Sequence, residues 1–317
     1  MILEYARTTE PGAWQLVFRA DADELARAIE AVEAGPDAPK EEADLLTEAV
    51  NRAILTGFSP LYAQLVGERG IIPVTDPDFS LLAVNRAEGF RAGAEFFALP
   101  EELTLERYTG FVQAVQPHPI RPVTIELEVN QHHGEEDRAA DAAGKQALRA
   151  RVTAELYEKR CAQARALAQQ KLIYQLGGQV KGPLPKQLVA GNYFAEQRRF
   201  NLSLQARGVN FDQYLQVRGQ TVEEFRAELH AEAEQKLRSR LGLLLVAGRE
   251  NLWPTEAEVN QALAQWDEKR DGERTFPAND ARKARQKIAS SRAAGYVLAH
   301  STLTPPPAEP VVAAPGK

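Results

Sequence analysis

One cysteine, two adjacent histidines and a few clustered arginines are the side chains of this 317-residue sequence that invite a chemical reading. Cys161 follows Glu158-Lys159-Arg160 and precedes a run rich in alanine. That is an ordinary helical setting, with no neighbouring base to draw off the thiol proton. His132 and His133 sit side by side before Gly134 and the acids Glu135, Glu136 and Asp137. Adjacent histidines in an extended or turning segment point in different directions, so they suit a solvated loop better than a metal site. Arg198, Arg199 and Arg207 share one predicted helix and read as a solvated face. The net charge of −6 argues against a surface devoted to nucleic acid. No catalytic residue, metal or cofactor is expected. What remains is apolar chemistry: Tyr193, Phe194, Phe200, Phe211, Tyr214 and Trp253 break a helical stripe or sit at its ends. Such side chains either pack between helices or bind apolar segments of another polypeptide by burying surface.

The elements that position them lie in residues 184–263. Thr221 followed by Glu224 is a capping box, in which the hydroxyl takes one orphan N–H and the carboxylate returns to the cap's own N–H. Phe225, Leu229, Ala233, Leu237 and Leu241 then recur at every fourth position and fall on one helical stripe. Glu223, Arg226, Glu234, Lys236, Arg238 and Arg240 occupy the opposite side. A second capping box, Thr255 with Glu258, opens a helix carrying Val259, Leu263 and Trp266. Upstream, residues 135–175 are rich in Ala, Glu, Lys, Arg and Gln and therefore helical. Asn279-Asp280 caps a last helix through Tyr296-Val297-Leu298.

The N-terminal part reads differently. Residues 14–19 alternate as a strand, and Asp21 or Asp23 caps a helix with Leu25, Ile29 and Val32 on one face. Gly35-Pro36 stops it. A second helical region starts at Glu42 with Leu46, Val50 and Ile54, is interrupted at Gly57 and restarts at Ser59-Pro60. Residues 79–84, 94–99 and 111–115 are strand candidates, and residues 122–130 alternate like a further strand. The fold class expected is an α+β N-terminal domain followed by an all-α, extended multi-helix C-terminal domain, mainly α overall. The expected boundaries are residues 1–118, a linker at 119–134, the helical domain at 135–303, and a disordered or extended tail at 304–317.

A composition of 44% hydrophobic and 26% charged residues is that of a soluble globular chain. No apolar run has the length of a membrane span, and the first residues lack the pattern of a signal peptide. A lone cysteine suits a reducing compartment, so a cytoplasmic location is expected.

The order of parts carries more than any single motif. Leu184-Pro185 at a helix start, a short helix after Gly208, then Gly219-Gln220-Thr221-Val222-Glu223-Glu224-Phe225-Arg226 and the long amphipathic helix resemble the C-terminal chaperone domain of bacterial trigger factor. Upstream, Gly70-Ile71-Ile72-Pro73-Val74, then Pro100-Glu101, Leu105 and Tyr108-Thr109-Gly110-Phe111, resemble segments of that family's N-terminal ribosome-docking domain. The resemblance implies an ATP-independent chaperone whose partners are unfolded or nascent polypeptides, with no membrane and no sequence-specific nucleic acid among them.

Two departures qualify it. The family docks on the ribosome through a Gly-Phe-Arg-x-Gly-Lys loop between its first two helices. Here that connection is Gly35, Pro36, Asp37, Ala38, Pro39 and Lys40, without arginine and flanked by Glu41 and Glu42. Contacts of cations with phosphates supply much of such affinity, so ribosome docking is expected to be weak. Gly89-Phe90-Arg91-Ala92-Gly93 reads as a hairpin turn that only mimics the motif. The isomerase domain usual in the family has no counterpart either, because residues 135–175 offer neither a series of strands nor an aromatic proline pocket. Besides the chaperone, two readings stay open: a partner-specific binding module that has left the ribosome, and a degenerate peptidyl-prolyl isomerase.

Overall fold

The structure, a computed structural model, describes residues 1–36, 39–131, 142–267 and 277–314. The chain divides into two compact units that do not follow chain order. The first joins Met1–Glu106 to Val180–Ala293, and the second joins Arg107–Gln179 to Ala294–Lys317.

The first unit begins with an antiparallel sheet of order β1-β2-β4-β3, from β1 (Ile2–Glu10), β2 (Ala13–Ala20), β3 (Asp78–Asn85) and β4 (Gly89–Phe97). One face of this sheet is covered by α1 (Ala22–Glu33) and α2 (Glu42–Glu68). Alternation along β2 and β4 sends Leu16, Phe18, Phe90, Ala92, Ala94 and Phe96 to that side, where they meet Leu25, Ile29, Phe58 and Tyr62. Phe18 and Phe58 lie 4.9 Å apart, and the Tyr62 ring meets Phe96 edge-on at 5.2 Å. Asp21 is the cap of α1 and forms a full capping box with Glu24.

Several expectations need correction here. The second helix is a single 27-residue element that runs through Gly57 and Pro60 without interruption. The Met1 side chain lies over Gly57, where a Cβ would meet its thioether at 3.1–3.3 Å. Burial of Ile54, Phe58 and Tyr62 on one face therefore outweighs the local breaking tendency of glycine and proline. The edge strand β1 was not among the expected strands. The strand expected at 94–99 begins earlier, at Gly89, so Gly89-Phe90-Arg91-Ala92-Gly93 lies within β4 and not on the turn. The turn itself is 86–88, closed by Asn85 Oδ1 accepting from the Ala87 N–H at 2.9 Å, with Gly89 at φ 94°.

Apart from one short strand pair, the rest of the described residues of this unit is mainly helical. β5 (Thr104–Leu105) pairs with β7 (Val180–Lys181) at the root of a helical arm. The arm comprises α5 (Lys186–Ala206), α6 (Phe211–Arg218) and α7 (Val222–Arg249), followed by α8 (Glu256–Asp267) and most of α9 (Pro277–Ala299). The final helix starts at Pro277, so Asn279 and Asp280 lie in its first turn and are not its cap.

The second unit holds β6 (Val112–Ala114), α3 (Pro122–Gln131), the 37-residue α4 (Ala142–Gly178) and β8 (Thr302–Thr304). Residues 122–130, expected as a strand, form α3. In a helix the alternating apolar positions split into two faces: Ile125 and Val129 turn towards Ile120 and Tyr157, while Val123 and Leu127 stay exposed. The strand expected at 111–115 exists as β6, but it pairs in parallel with β8 and not with the N-terminal sheet.

Candidate functional site

The stripe predicted for α7 is its buried face: Phe225, Leu229, Ala233, Leu237 and Leu241 are each at most 6% exposed. Thr221 caps the helix and its box with Glu224 is complete. Facing it, α5 docks antiparallel through a polar lock as well as apolar contact. Glu196 is buried and accepts from Arg199 Nη1 at 2.6 Å and from Lys236 Nζ at 2.8 Å. Asn192 Nδ2 donates to the Ala233 carbonyl at 2.6 Å. Burial alone would lower the Lys236 ammonium, but its bonds to Glu196 and Glu232 outweigh this and hold it above the usual range.

At the root, Arg238 Nη1 donates to the Val180 and Gly182 carbonyls at 3.2 Å each, and Arg249 Nη1 donates to the Leu105 carbonyl at 2.9 Å. Gly182 has φ 116°, and a Cβ there would meet the Glu102 carbonyl oxygen at 2.7 Å, so the arm leaves its root through a position that only glycine fits.

Of the six aromatic candidates, Tyr193, Phe200, Phe211 and Tyr214 pack against one cluster, while Phe194 and Trp253 lie apart from it. Phe200, Phe211 and Tyr214 surround Phe225 with ring centroids at 4.7, 5.2 and 6.1 Å, and with Leu215 and Leu229 they form the core of the arm's tip. Tyr193 is half-buried and its ring lies 5.6 Å from that of His230 of α7, tilted by 39°. Phe194, its neighbour at 5.5 Å, is 62% exposed. Trp253 is half-buried just beyond the C-terminal end of α7, with its carbonyl accepting from Arg292. A 28-residue helix separates Trp253 from the tip cluster, roughly 40 Å at 1.5 Å per residue, so the six do not form one site.

Aliphatic side chains are exposed on the arm as well. Leu202 on α5 is 55% exposed, Val209 between α5 and α6 36%, and Val217 on α6 88%. They stand in the sequence as aliphatic residues off the buried stripe, beside polar or small neighbours such as Asn201, Ser203, Asn210 and Gln216.

In the α1–α2 connection, Gly35 donates to the Val32 carbonyl at 3.0 Å, Pro36 is exposed, Pro39 is half-buried and Lys40 is exposed. Asp37 and Ala38 lie outside the described residues, as do His132 and His133. Arg91 pairs with Glu4 of β1 at 2.7 Å, a cross-strand tie on the sheet. Arg199 is committed to Glu196, while Arg198 and Arg207 are exposed. Among the described residues there is no cluster of three or more metal-ligating side chains and no helix long and apolar enough to cross a membrane.

Comparison with known proteins bears on this arm directly. The family model described as the C-terminus of bacterial trigger factor protein matches residues 146–273. The trigger factor of Frankia casuarinae is 32% identical over 116 residues, 37% of this chain and 24% of that protein. The trigger factor of Anoxybacillus flavithermus is 25% identical over 211 residues, 66% of this chain and 48% of that one. Over residues 146–273 the chain is similar to the C-terminal part of the trigger factor family. Its matches span less than half the length of these curated trigger factors. A solved structure of the trigger factor chaperone overlays with a TM-score of 0.39 at 11% identity, over 93% of this chain and 99% of that one.

Proposed function

We propose that this protein is an ATP-independent chaperone that holds unfolded or nascent polypeptides on its helical arm. The observation that carries the reading is a set of exposed apolar side chains on the arm: Phe194, Leu202, Val209 and Val217. Burying one large apolar side chain contributes about 1.5–3 kcal/mol before ordering costs. Two or three such contacts hold a client weakly and release it without energy input, and their lack of directional partners suits clients of varied sequence. The tip aromatics Phe200, Phe211 and Tyr214 give this surface a rigid backing, because their rings pack on Phe225.

The same reading makes the protein a non-enzyme in a cytoplasmic setting, without isomerase activity and with weak ribosome docking. It is supported by Lys40 as the lone cation of the α1–α2 connection and by the commitment of Arg91 to Glu4. The test is aggregation of a denatured model client at stoichiometric ratios without ATP. The native chain should slow it, and the triple variant Phe194→Ser, Leu202→Ser, Val217→Ser should slow it much less while keeping the same circular dichroism. Equal aggregation with and without excess native chain overturns the reading.

A further inference from the structure

Residues 305–314 form neither helix nor strand, yet hydrogen bonds hold them to the rest of the second unit at both ends and at Pro307. At one end the Thr304 carbonyl accepts from the Val115 N–H at 3.0 Å, continuing the parallel pairing of β6 and β8. At the other, the Ile120 N–H donates to the Val311 carbonyl at 2.8 Å and the Ala313 N–H donates to the Ile120 carbonyl at 2.9 Å. Between them, Tyr157 Oη donates to the Pro307 carbonyl at 2.6 Å. The Val311 side chain packs against a cluster of Ile120, Ile125, Tyr157, Val129, Leu156 and Cys161.

The segment itself is Pro305-Pro306-Pro307-Ala308-Glu309-Pro310-Val311-Val312. Four prolines keep it extended before it binds anything and leave it short of N–H donors. Its neighbours supply what that chemistry needs: donors for its carbonyls and one apolar pocket. The segment returns little to the core, since Pro305, Pro307, Ala308, Glu309 and Pro310 are exposed and Val312 is 44% exposed. Backbone hydrogen bonds for affinity and one side-chain pocket for register are how peptide-binding domains hold an extended ligand.

We propose that residues 305–314 are an exchangeable occupant of a peptide-binding groove in the second unit. Its partner in trans is an extended, proline-containing stretch of unfolded polypeptide, with an aliphatic residue four positions after the proline held by Tyr157. The identity of the partner rests on the chaperone reading, whereas the exchange does not. The aliphatic side chain enters the Val311 position, and the Tyr157 hydroxyl and Ile120 backbone fix the register. While residues 305–314 are seated, the groove is closed to clients.

Cys161 is the only cysteine and lies half-buried in the same cluster, so its alkylation rate reports whether the groove is filled. In the full chain, Val311→Asp should speed alkylation about tenfold or more, because it raises the population of the open groove. A synthetic peptide of residues 305–314 should restore protection. Val311→Ala and Tyr157→Phe, milder changes checked by circular dichroism, should move the rate in the same direction by less.

The exchange is overturned by an unchanged rate in Val311→Asp, or by a faster rate that the peptide does not reverse, which marks the segment as a fixed part of the fold. A urea-unfolded, proline-containing client should displace a labelled peptide from Val311→Asp, and failure to displace it overturns the partner assignment. If no form of the chain slows aggregation but the peptide still protects Cys161, the chaperone reading falls and the groove stands. If aggregation is slowed while Cys161 ignores every variant, the groove falls and the chaperone reading stands.

Discussion

Replacing Phe225 by alanine tests whether the tip of the arm is a core in its own right. The side chain is 6% exposed and the rings of Phe200, Phe211 and Tyr214 lie 4.7, 5.2 and 6.1 Å from it. Truncating a buried phenylalanine costs about 3–5 kcal/mol, the transfer of its atoms plus the cavity left behind. Among the described residues the cluster draws on α5, α6 and α7, so the loss should appear as local opening and not as global unfolding. The eight-residue α6 is the weakest part, since a helix that short is marginal without tertiary support. Beyond its packing on Phe225, α6 has the Asn210 cap, which accepts from the Asp212 N–H, Gly219 at φ 62°, and an exposed ion pair of Arg218 with Glu228 of α7 at 3.1 Å. At about 1.4 kcal/mol per tenfold, a loss of about 3 kcal/mol raises amide exchange across α6 by roughly a hundredfold. Hydrogen exchange read by mass spectrometry checks this. Phe194→Ala, at an exposed neighbouring position, should change stability by less than about 0.5 kcal/mol. A rise of less than tenfold in α6, or an equal rise in the N-terminal sheet, refutes the reasoning.

Other perturbations have defined outcomes. Burial would raise the Asp76 carboxyl, but hydrogen bonds from Lys283 and Arg282 prevail and hold it below its ordinary 3.8. A lowered folded value means this contribution is present above about pH 4 and fades as pH falls further, so Asp76→Asn should flatten the acid limb of the urea midpoint. An identical acid limb in both proteins contradicts that sign. Grafting a Gly-Phe-Arg-x-Gly-Lys segment in place of residues 35–40 should strengthen co-sedimentation with ribosomes, whereas Arg91→Ala should leave it unchanged. Loss of co-sedimentation in Arg91→Ala would place docking on β4. Isomerisation of a short proline peptide, which takes tens to hundreds of seconds uncatalysed, should not be accelerated. A rate that scales with protein concentration revives the isomerase.

What the sequence disclosed depended on how local the governing interaction is. Capping boxes at Thr221 and Thr255 were legible because each closes within four residues, and both form as read. The α7 stripe was legible because a single docked face enforces its period. Residues 122–130 were not, because an alternation of Val123, Ile125, Leu127 and Val129 fits a strand as well as a helix. The choice fell to Ile120 and Tyr157, and Tyr157 is more than twenty residues away. The pairing of β6 with β8 joins segments about 190 residues apart and leaves no local trace. For the candidate site, aromatic type pointed to the arm but did not separate wall from surface. Phe200 and Phe211 pack inward because α6 folds back over Phe225, while Phe194, one position after Tyr193, faces solvent.

The measurement that bears most directly on the chaperone reading is site-specific photo-crosslinking from the arm to a client. A photoreactive residue placed at 194, 202 or 217 should capture an unfolded model client and leave the same client uncaptured once it is native. The same residue at 198 or 223, on charged positions of α5 and α7, should capture little of either. Capture confined to 198 and 223, or equal capture of native and unfolded client at 194, 202 and 217, contradicts the account.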